Sequence, residues 1–414
     1  MKILLCLILF FACFETRAQQ YYAINGIVSD EKGKAIAGAT VFITNSKHVT
    51  ATNDEGKFSF SNIQAGSYEI VIKMLGFNPA IQNITIKDKP IRLSVTLTES
   101  NITLNTINIT ANRNTTSAAE RENYLAAFMK FFIGETVNSQ ACKILNPSVI
   151  TFHFDKDKKI LRASADELLE VENKALGYKI KYLLTDFELN NETGMCTVGG
   201  SPYFEEMRGG FPQQREWNVK RRLAYLSSDR HFFNAVMDNR VTEEGFIVYK
   251  IIDKLIYFSE RGKDDFLIHA YDTLKFTGIH VLHIDSLFVP DSKDAKTLVS
   301  SRKIVGKDTF GIAALYIVYT GAKESPLFYK TGGPLKLLNV ALSPSQKIKP
   351  KQISQIQPLA NKITIDRNSG LTPVNAFKYS GYWAWLKIAD LTPLDYSIDP
   401  SDEQRTVNSL ESIK

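Results

Sequence analysis

The chain has 414 residues, of which 44% are hydrophobic, and carries a formal net charge of +6. That length predicts two or three domains with ordinary globular cores. The positive charge is mild and spread out, and no nucleic-acid-binding motif accompanies it, so nucleic acid is not expected as a partner.

Residues 1–18 read as an export signal: Lys2, an apolar run Ile3–Ala12, then Thr16-Arg17-Ala18 ahead of Gln19-Gln20. The alternative is a lipoprotein-type site, Phe10-Phe11-Ala12-Cys13, with Cys13 acylated. The apolar run is too short to span a bilayer, and no later stretch reaches the roughly 20 residues a span needs. Attachment to a membrane would therefore come from a lipid or a partner. Loss of residues 1–18 removes Lys2, Arg17 and Glu15 and lowers the net charge from +6 to +5. Cys142 and Cys196 are then the two cysteines left, and an oxidising compartment favours their pairing. Closing that loop would contribute roughly 4 kcal/mol in the chain-entropy picture. Two separately buried thiols are the alternative.

Residues 21–98 alternate short apolar strands with turns of Gly, Asn and Asp. Ala23–Ser29 and Thr40–Thr44 read as strands, Asn53-Asp54-Glu55-Gly56 as a hairpin turn, and Lys57–Phe60 as the strand after it, with Phe58 and Phe60 on one face. Glu69–Met74, Ile81–Ile86 and Arg92–Thr98 follow. Seven short strands in about 75 residues predict a β-sandwich.

This stretch resembles the carboxypeptidase regulatory-like domain, a transthyretin-like sandwich. The resemblance rests on Gly26-Ile27-Val28, Ile36-Ala37-Gly38-Ala39-Thr40-Val41, Thr52-Asn53-Asp54-Glu55-Gly56-Lys57-Phe58 and Gly66-Ser67-Tyr68. It implies a structural or interaction module rather than a peptidase, in a Gram-negative envelope protein of the periplasm or outer membrane. Such domains also stand at the amino end of TonB-dependent outer-membrane transporters. The remaining residues are too few for a large barrel and lack its regularly spaced amphipathic strands, so the transporter itself is excluded.

Residues 99–118 form a polar linker in which Leu104–Thr110 could add an edge strand. A second, α+β domain is expected over 119–396, opened by a helix at Ala118–Ile133 with Leu125, Phe128, Met129 and Phe132 on one side. Val149–Phe154, Ile160–Ala165 and Tyr178–Leu189 read as strands, and Arg215–Asn239 as one or two helices. Phe246–Ile251, Phe266–Ala270, Ala314–Thr320 and Ile363–Ile365 return to a β pattern, with loops at Lys323–Ser325 and Ser343–Lys351. Residues 397–414 form a polar tail. The second domain is similar to the carboxy-terminal region of a family named only for its regulatory-like domain, through Phe132-Ile133-Gly134-Glu135-Thr136, Cys142-Lys143-Ile144-Leu145-Asn146-Pro147, Asn173–Tyr178 and Gly381-Tyr382-Trp383-Ala384-Trp385. That resemblance implies no activity.

The chain lacks a phosphate-binding glycine loop, a dinucleotide fingerprint and a Gly-x-Ser-x-Gly elbow. Zinc carboxypeptidases place Glu three residues after His, and none of His48, His153, His231, His269, His280 or His283 has Glu there. No catalytic, cofactor-binding or metal-ligating residue is therefore assigned, and no cofactor is expected. Gly199-Gly200-Ser201-Pro202-Tyr203 reads as a plain loop. Glu170 with Glu172, and Glu205 with Glu206, are carboxylate pairs that a glycosidase could use if folding brought them together.

Two segments concentrate aromatic and cationic residues. Trp217, Arg221 and Tyr225 would share a helix face, and Trp383 and Trp385 a strand face. Each set is a candidate ligand or partner surface, with burial in a core as the alternative. The functional expectation is a non-enzymatic envelope protein that binds a protein or glycan. The alternatives are an envelope glycan or peptide hydrolase and an accessory of a TonB-dependent transporter.

Overall fold

The computed structural model describes residues 20–100, 117–258, 264–273, 281–283, 314–331, 352–360, 362–373 and 375–398. The expected export signal, the strand at 104–110, the loop at 343–351 and most of the polar tail lie outside the described residues. Contacts divide the chain into two compact units, Met1–Phe42 with Val49–Thr103 and Ile43–His48 with Leu104–Lys414.

Seven strands build the first unit: β1 (Tyr21–Asp30), β2 (Thr40–Ile43), β3 (Val49–Ala51), β4 (Lys57–Gln64), β5 (Gly66–Lys73), β6 (Ala80–Ile86) and β7 (Ile91–Leu97). They form two sheets, β4-β1-β7 and β3-β2-β5-β6, with β1 antiparallel to β4 and parallel to β7. The alternation read from the sequence sets the faces. Phe58, Phe60 and Ile63 of β4 are buried while Lys57, Ser59 and Ser61 between them are exposed. At the expected hairpin turn, the Asn53 carboxamide oxygen accepts from the Glu55 and Lys57 amides at 3.1 and 2.8 Å. Backbone bonds close it further, among them one from the Val28 amide of β1 to the Gly56 carbonyl at 2.8 Å.

The second unit opens with helix α1 (Ala118–Phe132). Its start is a capping box: the Ser117 hydroxyl accepts from the Glu120 amide, and the Glu120 carboxylate accepts from the Ser117 amide. Next come β8 (Cys142–Ile144), β9 (Ile150–Asp155), β10 (Ile160–Ala165), β11 (Leu169–Asn173), β12 (Tyr178–Asn190) and β13 (Cys196–Glu206). They make one sheet, β8-β11-β12-β10-β9, with β13 along the other edge of β12. Phe128 and Phe132 of α1 lie in the core under this sheet with Tyr178, Ile180, Tyr182 and Phe187.

The Gly199–Tyr203 stretch, expected as a loop, is instead the middle of β13. Its pairing with β12 shifts between Leu184 and Asp186, opposite Gly200 and Gly199. A β-carbon on Gly200 would meet the Leu183 carbonyl oxygen at 2.1 Å, so the shift requires glycine there. The shift also changes which residues of β12 face the core, from Tyr178, Ile180, Tyr182 and Leu184 to Phe187 and Leu189. Among the described residues β12 is the one strand in a ladder with β13, so Pro202, which has no amide to donate, is tolerated on its outer side.

The expected helical stretch after residue 210 is two helices, α2 (Phe211–Leu226) and α3 (Asp229–Met237), with Ser228 capping the second through the His231 amide. Beyond them run β14 (Phe246–Phe258), β15 (Asp264–Thr273), β16 (Val281–His283), β17 (Ala314–Tyr319), helix α4 (Pro326–Lys330), β18 (Gln352–Pro358), β19 (Lys362–Asp366), β20 (Gly370–Thr372), β21 (Phe377–Gly381) and helix α5 (Tyr382–Trp385). Their sheets are β15-β14-β17-β18-β21 and β16-β19-β20. Phe232, Phe233 and Val236 of α3 pack with Phe246, Ile317, Ile356, Ile363 and Trp383 in a second core. The Trp383–Trp385 segment, expected as a strand, is thus a helical turn following Gly381.

Candidate functional site

Helix α2 begins after Gly209-Gly210 and carries Trp217 and Arg221 one turn apart, so both lie over the same neighbour. That neighbour is the tight turn between β11 and β12. The Trp217 indole donates to the Lys174 carbonyl at 3.0 Å. Arg221 donates from Nε to the Leu176 carbonyl at 2.7 Å and from Nη2 to the Gly177 carbonyl at 3.0 Å. Its guanidinium also stacks 4.0 Å from the centre of the Tyr178 ring. The Gly177 carbonyl also accepts from the Met207 amide at 2.9 Å, whereas the Lys174 and Leu176 carbonyls lie outside the sheet ladder, and buried carbonyls need donors. The two side chains supply them. Gly177 completes the fit: its φ is +69° and a β-carbon there would sit 2.2 Å from the Trp217 ring.

Tyr225 belongs to a second, adjoining arrangement. Its ring lies 5.3 Å from the Arg230 guanidinium, 5.3 Å from the His231 ring and 5.8 Å from the Tyr396 ring. Arg230 donates to the carbonyls of Pro393 and Leu394, and to that of Tyr396 at 3.0 Å. His231 is buried, with Nδ1 3.0 Å from the Leu226 carbonyl and Nε2 3.1 Å from the Glu244 carboxylate, which also meets Arg240 at 2.9 Å.

Trp217 and Arg221 are therefore 4% and 5% exposed, and Trp383 and Trp385 are 7% and 5% exposed. The expectation of a ligand surface at these four residues is corrected: each is a core residue whose polar end bonds to the chain itself. Trp383 donates to the Ser227 carbonyl at 3.0 Å, whereas Trp385 donates to the Thr331 hydroxyl at 3.1 Å. The two indoles sit in different clusters because a helical turn, unlike a strand, sends neighbours two apart in different directions.

The carboxylate pairs also resolve into structure. Reading across the sheet, Lys143 stands opposite Glu172, Glu172 opposite Lys179, and Lys179 opposite Glu205. Glu170 stands opposite Lys181 and pairs with it at 2.5 Å, while Glu172 meets Lys174 at 3.3 Å. Glu206 reaches Arg221 at 3.7 Å. This is a ladder of alternating charge, which stabilises a sheet face. Among the described residues no three His, Cys, Asp or Glu side chains gather to hold a metal ion.

The expected Cys142–Cys196 bridge is not formed; both are free thiols. Cys142 lies beside Asn173, which pairs with Tyr178 at one end of β12, whereas Cys196 pairs with Leu189 near the other. Burial pushes the Cys142 thiol up to about 12 and the Cys196 thiol up to about 11, so neither is an activated nucleophile.

Sequence reasoning gave no role to Asn173 or Asp390. Asp390 is 7% exposed; one oxygen accepts from Asn138 at 2.9 Å, and the other is buried with no hydrogen-bond partner. Its one visible signal is an acid flanked by Ile388-Ala389 and Leu391.

A family model described as CarboxypepD_reg-like domain matches residues 24–109. Those residues are a carboxypeptidase-regulatory-like domain. Its two sheets are the β1–β7 sandwich described above. No curated protein matches the chain. Among solved structures, a type II cohesin–X-dockerin complex from Acetivibrio cellulolyticus is similar at 19% identity over 18% of this chain and 56% of that one, with a TM-score of 0.17. 3-Chlorocatechol 1,2-dioxygenase from Rhodococcus opacus is similar at 9% identity over 21% of this chain and 62% of that one, with a TM-score of 0.18. BcpA, the major pilin subunit of Bacillus cereus, gives 14% identity over 20% and 31%, with a TM-score of 0.17. The chain spans less than two thirds of each of these proteins, and their different activities are their own. No helix among the described residues is long and apolar enough to cross a membrane.

Proposed function

We propose that this chain is a non-enzymatic cell-envelope protein that binds a protein or glycan through its regulatory-like sandwich and its α+β unit. The observation that carries the reading is the carboxypeptidase-regulatory-like domain at residues 24–109. The export signal read at residues 1–18 supports the envelope location. The commitment of Glu170, Glu172 and Glu206 to lysine and arginine partners weighs against the hydrolase alternative. The test is retention of envelope protein or glycan by the immobilised chain beginning at Gln19. Saturable retention of one species, with no cleavage of it, is expected. Cleavage of an envelope glycan or peptide, abolished by Glu170→Gln or Glu205→Gln, would replace this reading with the hydrolase.

A further inference from the structure

The two cores of the α+β unit are joined by the segment that follows β21. Trp383 lies in the core around α3, and five and six residues later Ile388 and Ala389 lie in the core around α1. The junction is fastened by backbone and side chain. The Ala389 amide donates to the Ile133 carbonyl at 3.2 Å, and the Ala389 carbonyl accepts from the Asn173 carboxamide at 2.9 Å. Arg230 holds the far end at the carbonyls of Pro393, Leu394 and Tyr396.

Asp390 sits in the middle of this junction. Its Oδ1 accepts from Asn138 at 2.9 Å, and the Thr136 hydroxyl and the Lys387 backbone also favour the charged carboxyl. Its Oδ2 is buried with no partner. The titratable groups facing it from the elements packed around it are the Cys142 thiol of β8 and the Tyr382 phenol of α5, both neutral at ordinary pH. Lys387 lies on its own segment, where its charge acts on Cys196. A buried carboxylate with an empty oxygen and no facing cation among the described residues is a costly charge, whereas the neutral acid is not.

We propose that the segment Leu386–Tyr396 is a proton-sensitive latch between the two cores, seated when Asp390 is neutral and loosened when it ionises. Burial pushes this carboxyl from its ordinary 3.8 up to about 6, against the lowering effect of its donors. In a released segment the carboxyl would ionise at its ordinary value. The protonation that favours the seated form is therefore fully present below about pH 4, fades as pH rises to about 6, and changes no further above that. Release should become about 20-fold more favourable between about pH 4.5 and pH 7.

Hydrogen exchange of the full chain, followed by mass spectrometry and corrected for the intrinsic pH dependence of amide exchange, tests this directly. Protection of 386–396 in the wild type should fall by about that factor over that interval, while peptides from β1 and β4 stay level. Asp390→Asn should abolish the pH dependence within 386–396. The same fall in Asp390→Asn, or a level wild type, would overturn the latch. Should Asp390→Asn not fold, Asn138→Leu removes a donor to the anion and should move the midpoint to higher pH; an unmoved midpoint would equally overturn it.

Discussion

Replacing Arg221 by Met keeps the aliphatic stem and removes the guanidinium. The structure shows what is lost: donors to the Leu176 and Gly177 carbonyls at 2.7 and 3.0 Å and a stack 4.0 Å from the Tyr178 ring. The Leu176 carbonyl loses its donor, at about 1 kcal/mol or more, the Gly177 carbonyl keeps the Met207 amide, and a desolvated cation–π contact is worth about 1 kcal/mol. The 3.7 Å approach to Glu206 adds little, because that carboxylate is 44% exposed and screened by solvent. Arg221→Met should therefore destabilise the α+β unit by about 2 kcal/mol. Arg221→Lys should cost about half as much, since an ammonium reaches one carbonyl and does not stack as a plane. Urea unfolding followed by tryptophan fluorescence reads both, with Trp217 reporting from the same contact. Stability of Arg221→Met within about 0.5 kcal/mol of wild type would refute the clamp and return Arg221 to the role of a ligand group.

Gly177→Ala should destabilise the same unit by about 2 kcal/mol or more, because it combines a left-handed backbone with a clash against Trp217; thermal unfolding checks it. Phe128→Ala empties a fully buried position whose ring lies 4.8 Å from Phe132 and 4.7 Å from Phe187, and should cost about 3–5 kcal/mol by urea titration. Thiol titration of the chain beginning at Gln19 should find two free groups after denaturation without reductant, and slow alkylation of both in the native state near neutral pH. Glu170→Gln, which breaks a pair on a solvated sheet face, should change stability by less than about 1 kcal/mol.

Where local pattern decides structure, the sequence was readable. The Phe58/Phe60 alternation, the Asn53–Gly56 turn and the α1 stripe at Phe128 and Phe132 all lie where their periods and turn residues place them. Pairing partners were not readable. Nothing local in Gly199-Gly200-Ser201-Pro202 says strand, because its register comes from β12, and the two glycines matter only once Leu183 and Asp186 lie across from them. For the same reason Glu170 and Glu172 looked like a candidate dyad until the lysines of β8 and β12 stood opposite them. The helix face of Trp217 and Arg221 was legible, but its covering turn, 43 to 45 residues earlier in the chain, was not. Trp383 and Trp385 went astray at Gly381, whose φ of +74° ends β21 and starts a helical turn.

One physical demand accounts for most of the polar residues that first looked functional. The turn at Lys174–Gly177 and the segment at Pro393–Tyr396 are irregular backbone tucked against cores, so several of their carbonyls have no sheet ladder to join. Trp217, Arg221 and Arg230 answer that demand directly, and Asn173 does the same for Ala389. Arginine suits the task because one planar group serves two or three carbonyls at once. A cationic, aromatic helix therefore need not advertise an anionic ligand. Asp390 breaks the pattern: it is a buried acceptor with one oxygen left over. Donors to backbone are what packing alone would select, whereas an under-satisfied buried acid costs stability and can respond to pH.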